Sequence, residues 1–282
     1  MDIYYVDGQF VPADQAVIPV NDLAVLRGLG AFELLRTYSG RPFALDEHLN
    51  RLAKSAQKIG LPLPGDIVRI RKIVLDTLAR NRNHNEVNIR IIVTGGSSSD
   101  FTTHRGQPRL LVLVSEMPRQ PSDWYTDGVK ITTMKSRRVL PGAKSINYLS
   151  ATIALKKARA KGAVESAYVD RDGLVYECTT SNIFAFMGAR LVTPGRRILA
   201  GITRGVILQM AATMFPIEVR DLPFQELTAA EEIFITGTNK GIVPVVRVDD
   251  VVIADGRPGL RTRRLMEALE THTRDHVRQS QA

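Results

Sequence analysis

Midway along the chain, residues 118–124 read Pro-Arg-Gln-Pro-Ser-Asp-Trp, two prolines with no apolar periodicity around them. Proline withholds a backbone donor and disfavours helix in the residue before it, so neither a sheet nor a helix is expected to run through this stretch. The 282 residues are enough to build two cores. We therefore expect a smaller N-terminal domain at 1–117, an interdomain linker at 118–124 and a larger C-terminal domain at 125–282.

Both sides mix short strands with helices. Ile3–Val6 and the run from Gln9 to Val11 flank Asp7-Gly8, a pair that tolerates positive φ, which predicts a hairpin. Asp46 is placed to cap a helix running to Lys58, with Leu49, Leu52, Ala53 and Ala56 on one face and Gly60 past its end; a second helix is expected over 66–80. Residues 87–94 and 110–114 are too short and too β-branched for helices and read as buried strands. After the linker come a strand at 129–134, a loop through Pro141 and Gly142, and a helix at 147–161 closed by Gly162. Strands follow at 168–170 and 174–177 around Asp172-Gly173, then at 182–186 and 191–193. A helix at 203–214, strands at 233–236 and 243–248, and a last helix from Gly259 complete an α/β (α+β) pattern.

Composition narrows the function classes. With 44% hydrophobic and 24% charged residues the chain is ordinary globular protein. No apolar run approaches the roughly 20 residues of a membrane helix, and Met1 to Phe10 lack a basic segment followed by an apolar one, so a cytoplasmic location and no membrane partner are expected. Cys178 is the sole cysteine, which excludes an internal disulfide or a thiolate metal cluster; no metal is expected. The net charge of +9 is spread among acids rather than gathered into aromatic-interleaved basic runs, which argues against a nucleic-acid partner.

Four stretches put reactive or anion-binding groups where the backbone is irregular. Gly142-Ala143-Lys144-Ser145-Ile146-Asn147-Tyr148 sets a lysine among small and apolar neighbours able to desolvate its amine; it also reads as a surface lysine near a helix start. Glu177-Cys178-Thr179-Thr180-Ser181-Asn182 ends a strand with one acid beside small hydroxyls, suited to holding a heteroaromatic nitrogen protonated or simply to turning the chain. Ala200-Gly201-Ile202-Thr203-Arg204 precedes an apolar-periodic helix; Thr203 is placed to cap it, and the open N–H groups favour an anion. Thr236-Gly237-Thr238-Asn239-Lys240 is a further candidate anion turn, or an ordinary strand end.

In this order and spacing the four stretches resemble the signature of the class IV (fold-type IV) pyridoxal-phosphate aminotransferases, across nearly the whole chain. The resemblance implies a two-domain fold with pyridoxal 5'-phosphate between the domains, and a homodimer whose site borrows a loop from the partner. Lys144, in the family's Lys-x-x-Asn segment with Asn147, is implied as the residue that forms the Schiff base and moves the Cα proton. Glu177 is implied as the partner of the pyridine nitrogen. The Gly-Ile-Thr-Arg start implies Ile202 and Thr203 at the phosphate, the later Gly-Thr turn adds Thr238, and a His-x-x-Arg-Leu segment at His48 and Arg51 adds Arg51. His48 itself reads as a packing or capping histidine.

The same resemblance bears on substrate. Branched-chain L-amino-acid members carry Tyr-x-Arg on the strand matching 87–94, where this chain has Asn88-Ile89-Arg90. D-amino-acid members use a tyrosine one residue before the position of Glu33 and a downstream Arg-x-His pair; here Phe32 and Asp100-Phe101-Thr102 stand there. A branched-chain L-amino acid donor with a 2-keto acid acceptor such as 2-oxoglutarate is expected, with D-amino-acid transamination as the alternative. Arg27 replaces a tyrosine usual in branched-chain members and suits either a second carboxylate or solvent. Phe32, Arg27, Arg90, Tyr148, Gly237 and Asn239 are the candidate substrate contacts. The lyase branch, which forms 4-aminobenzoate and pyruvate from aminodeoxychorismate, has a basic residue where Tyr148 stands, so transamination is expected over elimination. A noncatalytic ligand-binding relative is the alternative from another class; Lys144 and Glu177 together argue against it.

Overall fold

A computed structural model describes residues 1–279. They group into two units, Met1–Pro118 with Gly142–Asn147 and the chain from His276, and Arg119–Pro141 with Tyr148–Asp275. The first begins with the expected hairpin, β1 (Ile3–Val6) and β2 (Gln9–Pro12), whose two turn residues Asp7 and Gly8 both take positive φ. α1 (Leu23–Arg27), β3 (Gly30–Tyr38), β4 (Arg41–Pro42), α2 (Leu45–Lys58), α3 (Ile67–Ala79), β5 (Val87–Thr94) and β6 (Leu110–Glu116) follow. The strands form an antiparallel sheet in the order β2-β1-β6-β5-β3-β4.

Alternation along these strands decides which face is buried. Ala31 and Leu35 of β3, Val87, Ile89, Ile91 and Val93 of β5, and Val112 and Val114 of β6 pack with Leu45, Leu49, Leu52 and Ala56 of α2 and Ile70 and Val74 of α3. The other face therefore carries Phe32 beside Ile92, Leu34 beside Arg90, and Arg36 beside Asn88. Asp66 caps α3 as its position suggests, accepting from Arg69 N at 2.7 Å. Asp46 does not cap α2. That helix starts at Leu45 behind Ala44, and Asp46 sits in its first turn, where the dipole favours an acid, accepting from Arg71 Nε at 3.0 Å.

In the second unit, α4 (Asp123–Thr126) begins in the last two residues of the proline-bearing segment and runs past it. It is followed by β7 (Val129–Lys135), α5 (Leu149–Arg159), β8 (Glu165–Val169), β9 (Leu174–Cys178), β10 (Asn182–Met187), β11 (Arg190–Pro194), α6 (Ile202–Ala211), β12 (Ile217–Arg220), β13 (Leu222–Pro223), α7 (Phe224–Thr228), β14 (Glu232–Gly237), β15 (Gly241–Val248), β16 (Val251–Val252) and α8 (Leu260–Gln279). The sheet order is β12-β11-β10-β14-β15-β7-β8-β9-β13, with β16 on β15. β9 also meets β10, through Glu177 opposite Asn182, so the strands from β10 round to β9 close into a ring.

Both faces of this ring are covered, which explains the unbroken apolar runs in β10 and β14. Ile183, Ala185, Ile233, Ile235, Val243 and Val245 belong to one core; Phe184, Phe186, Phe234 and Ile242 turn to another, under Ile207 and Ala211 of α6 and Leu265 and Leu269 of α8. Among the described residues, no helix is long and apolar enough to cross a membrane.

Candidate active site

The lysine loop is laid along the edge of β3. Phe32 N donates to Lys144 O at 2.9 Å, Ile146 N donates to Gly30 O at 3.0 Å, and Ala31 bridges to Ser145. Gly30 permits this approach: a Cβ there would stand 2.8 Å from Ile146 Cδ1 and 2.8 Å from Val93 O. Lys144 N donates to Oγ of the fully buried Ser55 on α2 at 3.1 Å, and the ammonium lies 4.5 Å from the centroid of the Phe32 ring. The backbone at Lys144 is thus fixed on two sides, and its side chain is directed over an aromatic face.

Beside it, α2 presents His48 and Arg51 one turn apart to Glu33, which has no exposed surface. Arg51 donates Nε to Oε1 and Nη2 to Oε2, both at 2.7 Å, and His48 Nδ1 lies 2.7 Å from Oε2. Burial alone would raise the Glu33 pKa; the Arg51 and His48 hydrogen bonds outweigh it and bring the carboxyl down to about 2. Burial lowers the His48 pKa despite Glu33, with Arg51 and Lys144 adding positive charge nearby. His48 is therefore neutral near pH 7 and donates its Nδ1 proton to a carboxylate. Arg51, 11% exposed, is held by both carboxylate oxygens of Glu33. Arg90 is exposed on β5 opposite Leu34, and Arg27 is exposed at the end of α1, its Nη1 donating to Leu26 O at 2.9 Å.

In the second unit three turns meet at one end of adjoining strands. Asn182 pairs in register with Glu177 on one side and Thr236 on the other. Glu177 is 4% exposed and accepts from Arg138 Nη1 at 3.0 Å, Leu199 N at 2.9 Å and Asn182 Nδ2 at 3.5 Å. Asn182 Nδ2 also donates to Leu199 O at 3.0 Å. That brings the Gly-Ile-Thr turn against the acid, and Gly201 is needed there because a Cβ would stand 2.0 Å from Asn182 Oδ1. Thr203 does not cap α6. Gly201 takes the cap position and Thr203 lies one residue inside; without a side-chain cap, the helix leaves its first N–H groups open.

Gly237 to Lys240 form the turn between β14 and β15, closed by Lys240 N donating to Gly237 O at 3.1 Å. A Cβ on Gly237 would come 3.5 Å from Thr180 O, so this turn lies beside the one after Glu177. Tyr148, expected inside a helix, stands at the cap of α5. Its pKa is raised by burial, Arg138 opposing and Glu177 adding to the rise, so it remains a neutral phenol. The Asp100-Phe101-Thr102 loop is turned on itself, Asp100 Oδ1 accepting from Ser98 Oγ, Thr102 N and Thr103 N at 2.7–2.9 Å.

Sequence reasoning took Glu33 only as a landmark and missed Ser55, Arg138 and Glu165. Arg138 carried a faint signal, a lysine- and arginine-rich run ahead of the Pro141-Gly142 turn; Ser55 and Glu165 lie inside regular elements and carried none.

A family model described as amino-transferase class IV matches residues 30–248. The chain belongs to the class IV aminotransferases. This aminotransferase is 35% identical to the putative branched-chain-amino-acid aminotransferase of Methanocaldococcus jannaschii, over 93% of both chains. It is 31% identical to the D-alanine aminotransferase of Listeria monocytogenes, over 92% of both. Its fold matches the branched-chain amino acid aminotransferase of Escherichia coli with a TM-score of 0.89 at 25% identity, covering 96% of this chain and 94% of the other. A second solved branched-chain amino acid aminotransferase, holding pyridoxamine 5'-phosphate, matches equally, at 0.89 and 26% identity over the same shares.

Class IV aminotransferases use pyridoxal 5'-phosphate, and the residues present fit it. Thr236 Oγ1 and Asn239 Oδ1, on either side of Thr238, are buried with no hydrogen-bond partner among the described residues. An uncapped helix start and an acid already gripped by three donors lie at the same strand ends. Orphaned polar groups of this kind ask for a polar ligand.

Proposed function

We propose that the enzyme transfers the amino group of an amino acid, a branched-chain L-amino acid by preference, to a 2-keto acid such as 2-oxoglutarate. The cofactor supplies the electron sink once bound. Lys144 would hold it covalently and, as a free amine, would take the Cα proton and return it to the carbon on the far side of the amino nitrogen, as base and then acid. Glu177, which accepts from Arg138, Leu199 N and Asn182, would hold the ring nitrogen's proton. Ile202, Thr203, Thr238 and Arg51 hold the phosphate, and Phe32, Arg90, Arg27, Tyr148, Gly237 and Asn239 face the substrate.

The observation that carries this reading is the convergence of Glu177, the open start of α6 and the Gly-Thr turn on one strand end. The lysine loop, pinned to β3 and α2, supports it from the first unit. The branched-chain preference is supported by the names of the Methanocaldococcus and Escherichia relatives and by the self-closed loop at Asp100. A second reading, D-alanine transamination, is favoured by the Listeria relatives. Two copies of the chain working as a dimer follow the family pattern.

The test is the visible absorption of the purified holoenzyme, recorded before and after L-leucine, L-glutamate or D-alanine. Loss of the visible band with L-leucine and its return with 2-oxoglutarate is the expected outcome. Strong conversion by D-alanine alone replaces the substrate assignment, and no conversion by any donor ends the transaminase reading.

A further inference from the structure

Glu165 lies on β8 with no exposed side-chain surface, and five donors converge on it. They are the hydroxyls of Thr179, Thr180 and Ser181, Thr180 N at 3.1 Å, and the ammonium of Lys240. Lys240 Nζ also donates to Thr180 Oγ1 at 2.7 Å and Ser181 Oγ at 3.2 Å. The backbone of Lys240 is held as well, its carbonyl accepting from the Tyr125 hydroxyl at 3.0 Å. One carboxylate therefore ties the turn that follows Glu177 to the turn that carries Thr238.

Stability is a poor account of this arrangement. Removing two charges from water is costly, and an apolar pair of similar volume is often as stable. The side-chain donors come only from the two turns, one directly after the strand of Glu177 and one carrying Thr238. Thr236 Oγ1 at the end of β14 and Asn239 Oδ1 within the second turn make no hydrogen bond among the described residues, so these two atoms do not brace the turn's shape. The anchor through Lys240 does.

We propose that Glu165 and Lys240 are a positioning pair for the cofactor's phosphate, setting the Thr238 turn against the strand end of Glu177 before the cofactor arrives. The proposal rests on the assignment of that turn to phosphate. Donors fixed in advance bind an anion more tightly because little ordering remains to be done on binding.

The test titrates the full-length apo chain with pyridoxal 5'-phosphate and with pyridoxal, which lacks the phosphate, and compares the two dissociation constants. Glu165→Gln is expected to cut the preference for the phosphorylated form about tenfold. Lys240 keeps its charge in that variant; if charge alone were the lever, freeing the ammonium would raise the preference, and a rise overturns the proposal. Glu165→Gln combined with Lys240→Met leaves no unpaired charge should the single variant fail to fold, and the same loss is expected. Lys240→Arg, which keeps the ion pair, is expected to keep the preference. Equal loss for both ligands marks a purely structural role and overturns the proposal. An unsubstituted chain that does not distinguish the ligands removes the phosphate assignment and the pair with it, whereas a preference that survives the double substitution removes the pair alone.

Discussion

Glu33 and His48 act on each other through one hydrogen bond, yet they respond to acid in different ranges. His48 is depressed below its ordinary value of 6.5 and stays neutral in the fold, so the unfolded chain binds the extra proton as pH drops. Stability is then lost from about pH 6.5 downward. Glu33 falls from 4.5 to about 2, so its contribution, about 3 kcal/mol, is present above pH 4.5 and disappears as pH falls toward 2. Urea unfolding midpoints at stepped pH are expected to decline in both ranges, and Glu33→Gln to flatten the lower one; an unchanged lower slope would refute the pairing. Glu177 belongs to the same scale but affects rate. Glu177→Gln keeps the side chain's size while weakening its hold on a proton, so turnover is expected to fall about hundredfold with a much smaller change in cofactor affinity, measured by steady-state kinetics beside a binding titration.

At the scale of elements, the two glycines of α6 and its cap make opposite predictions. Gly201→Ala drives a Cβ to 2.0 Å from Asn182 Oδ1 and displaces the turn that touches Glu177. We expect a loss of roughly 1–3 kcal/mol and weaker cofactor binding. A Cβ on Gly205 meets nothing within 4 Å, so Gly205→Ala is expected to be neutral or to gain up to about 1 kcal/mol from helix propensity, with binding unchanged. Thermal melts with and without cofactor separate the two. The start of α6 was legible in the sequence because Gly-Ile-Thr-Arg precedes an apolar period, and the lysine loop because its neighbours are small. β3 was not, although it carries Phe32 and Glu33: Gly30-Ala31-Phe32-Glu33-Leu34-Leu35-Arg36 alternates poorly and places an acid on a buried strand. β8 was expected to begin at Tyr168 rather than Glu165 for the same reason, since a buried acid satisfied by distant hydroxyls leaves no local pattern. Caps were misjudged at Asp46 and Thr203 because an acid or hydroxyl in the first turn and one at the cap differ by a residue or two in sequence.

Taken as a whole, the molecule holds its proposed cofactor contacts in two separate sets, a lysine with an arginine in one unit and an acid with two anion turns in the other. A ligand that binds only the folded state stabilises it by about 2.7 kcal/mol at a hundredfold excess over its dissociation constant. Pyridoxal 5'-phosphate is therefore expected to raise the melting temperature of the full chain in a concentration-dependent way. Lys144→Ala removes the attachment but leaves every proposed phosphate contact, so its melting temperature should still rise with the cofactor, at higher concentrations, while turnover is lost. Thr238→Ala should do the reverse, keeping attachment and visible colour but needing more cofactor for the same rise. If Lys144→Ala instead loses all response to the cofactor, the phosphate contacts contribute no binding of their own and attachment alone holds the ligand. Full transaminase activity in that variant would remove Lys144 from the reaction altogether.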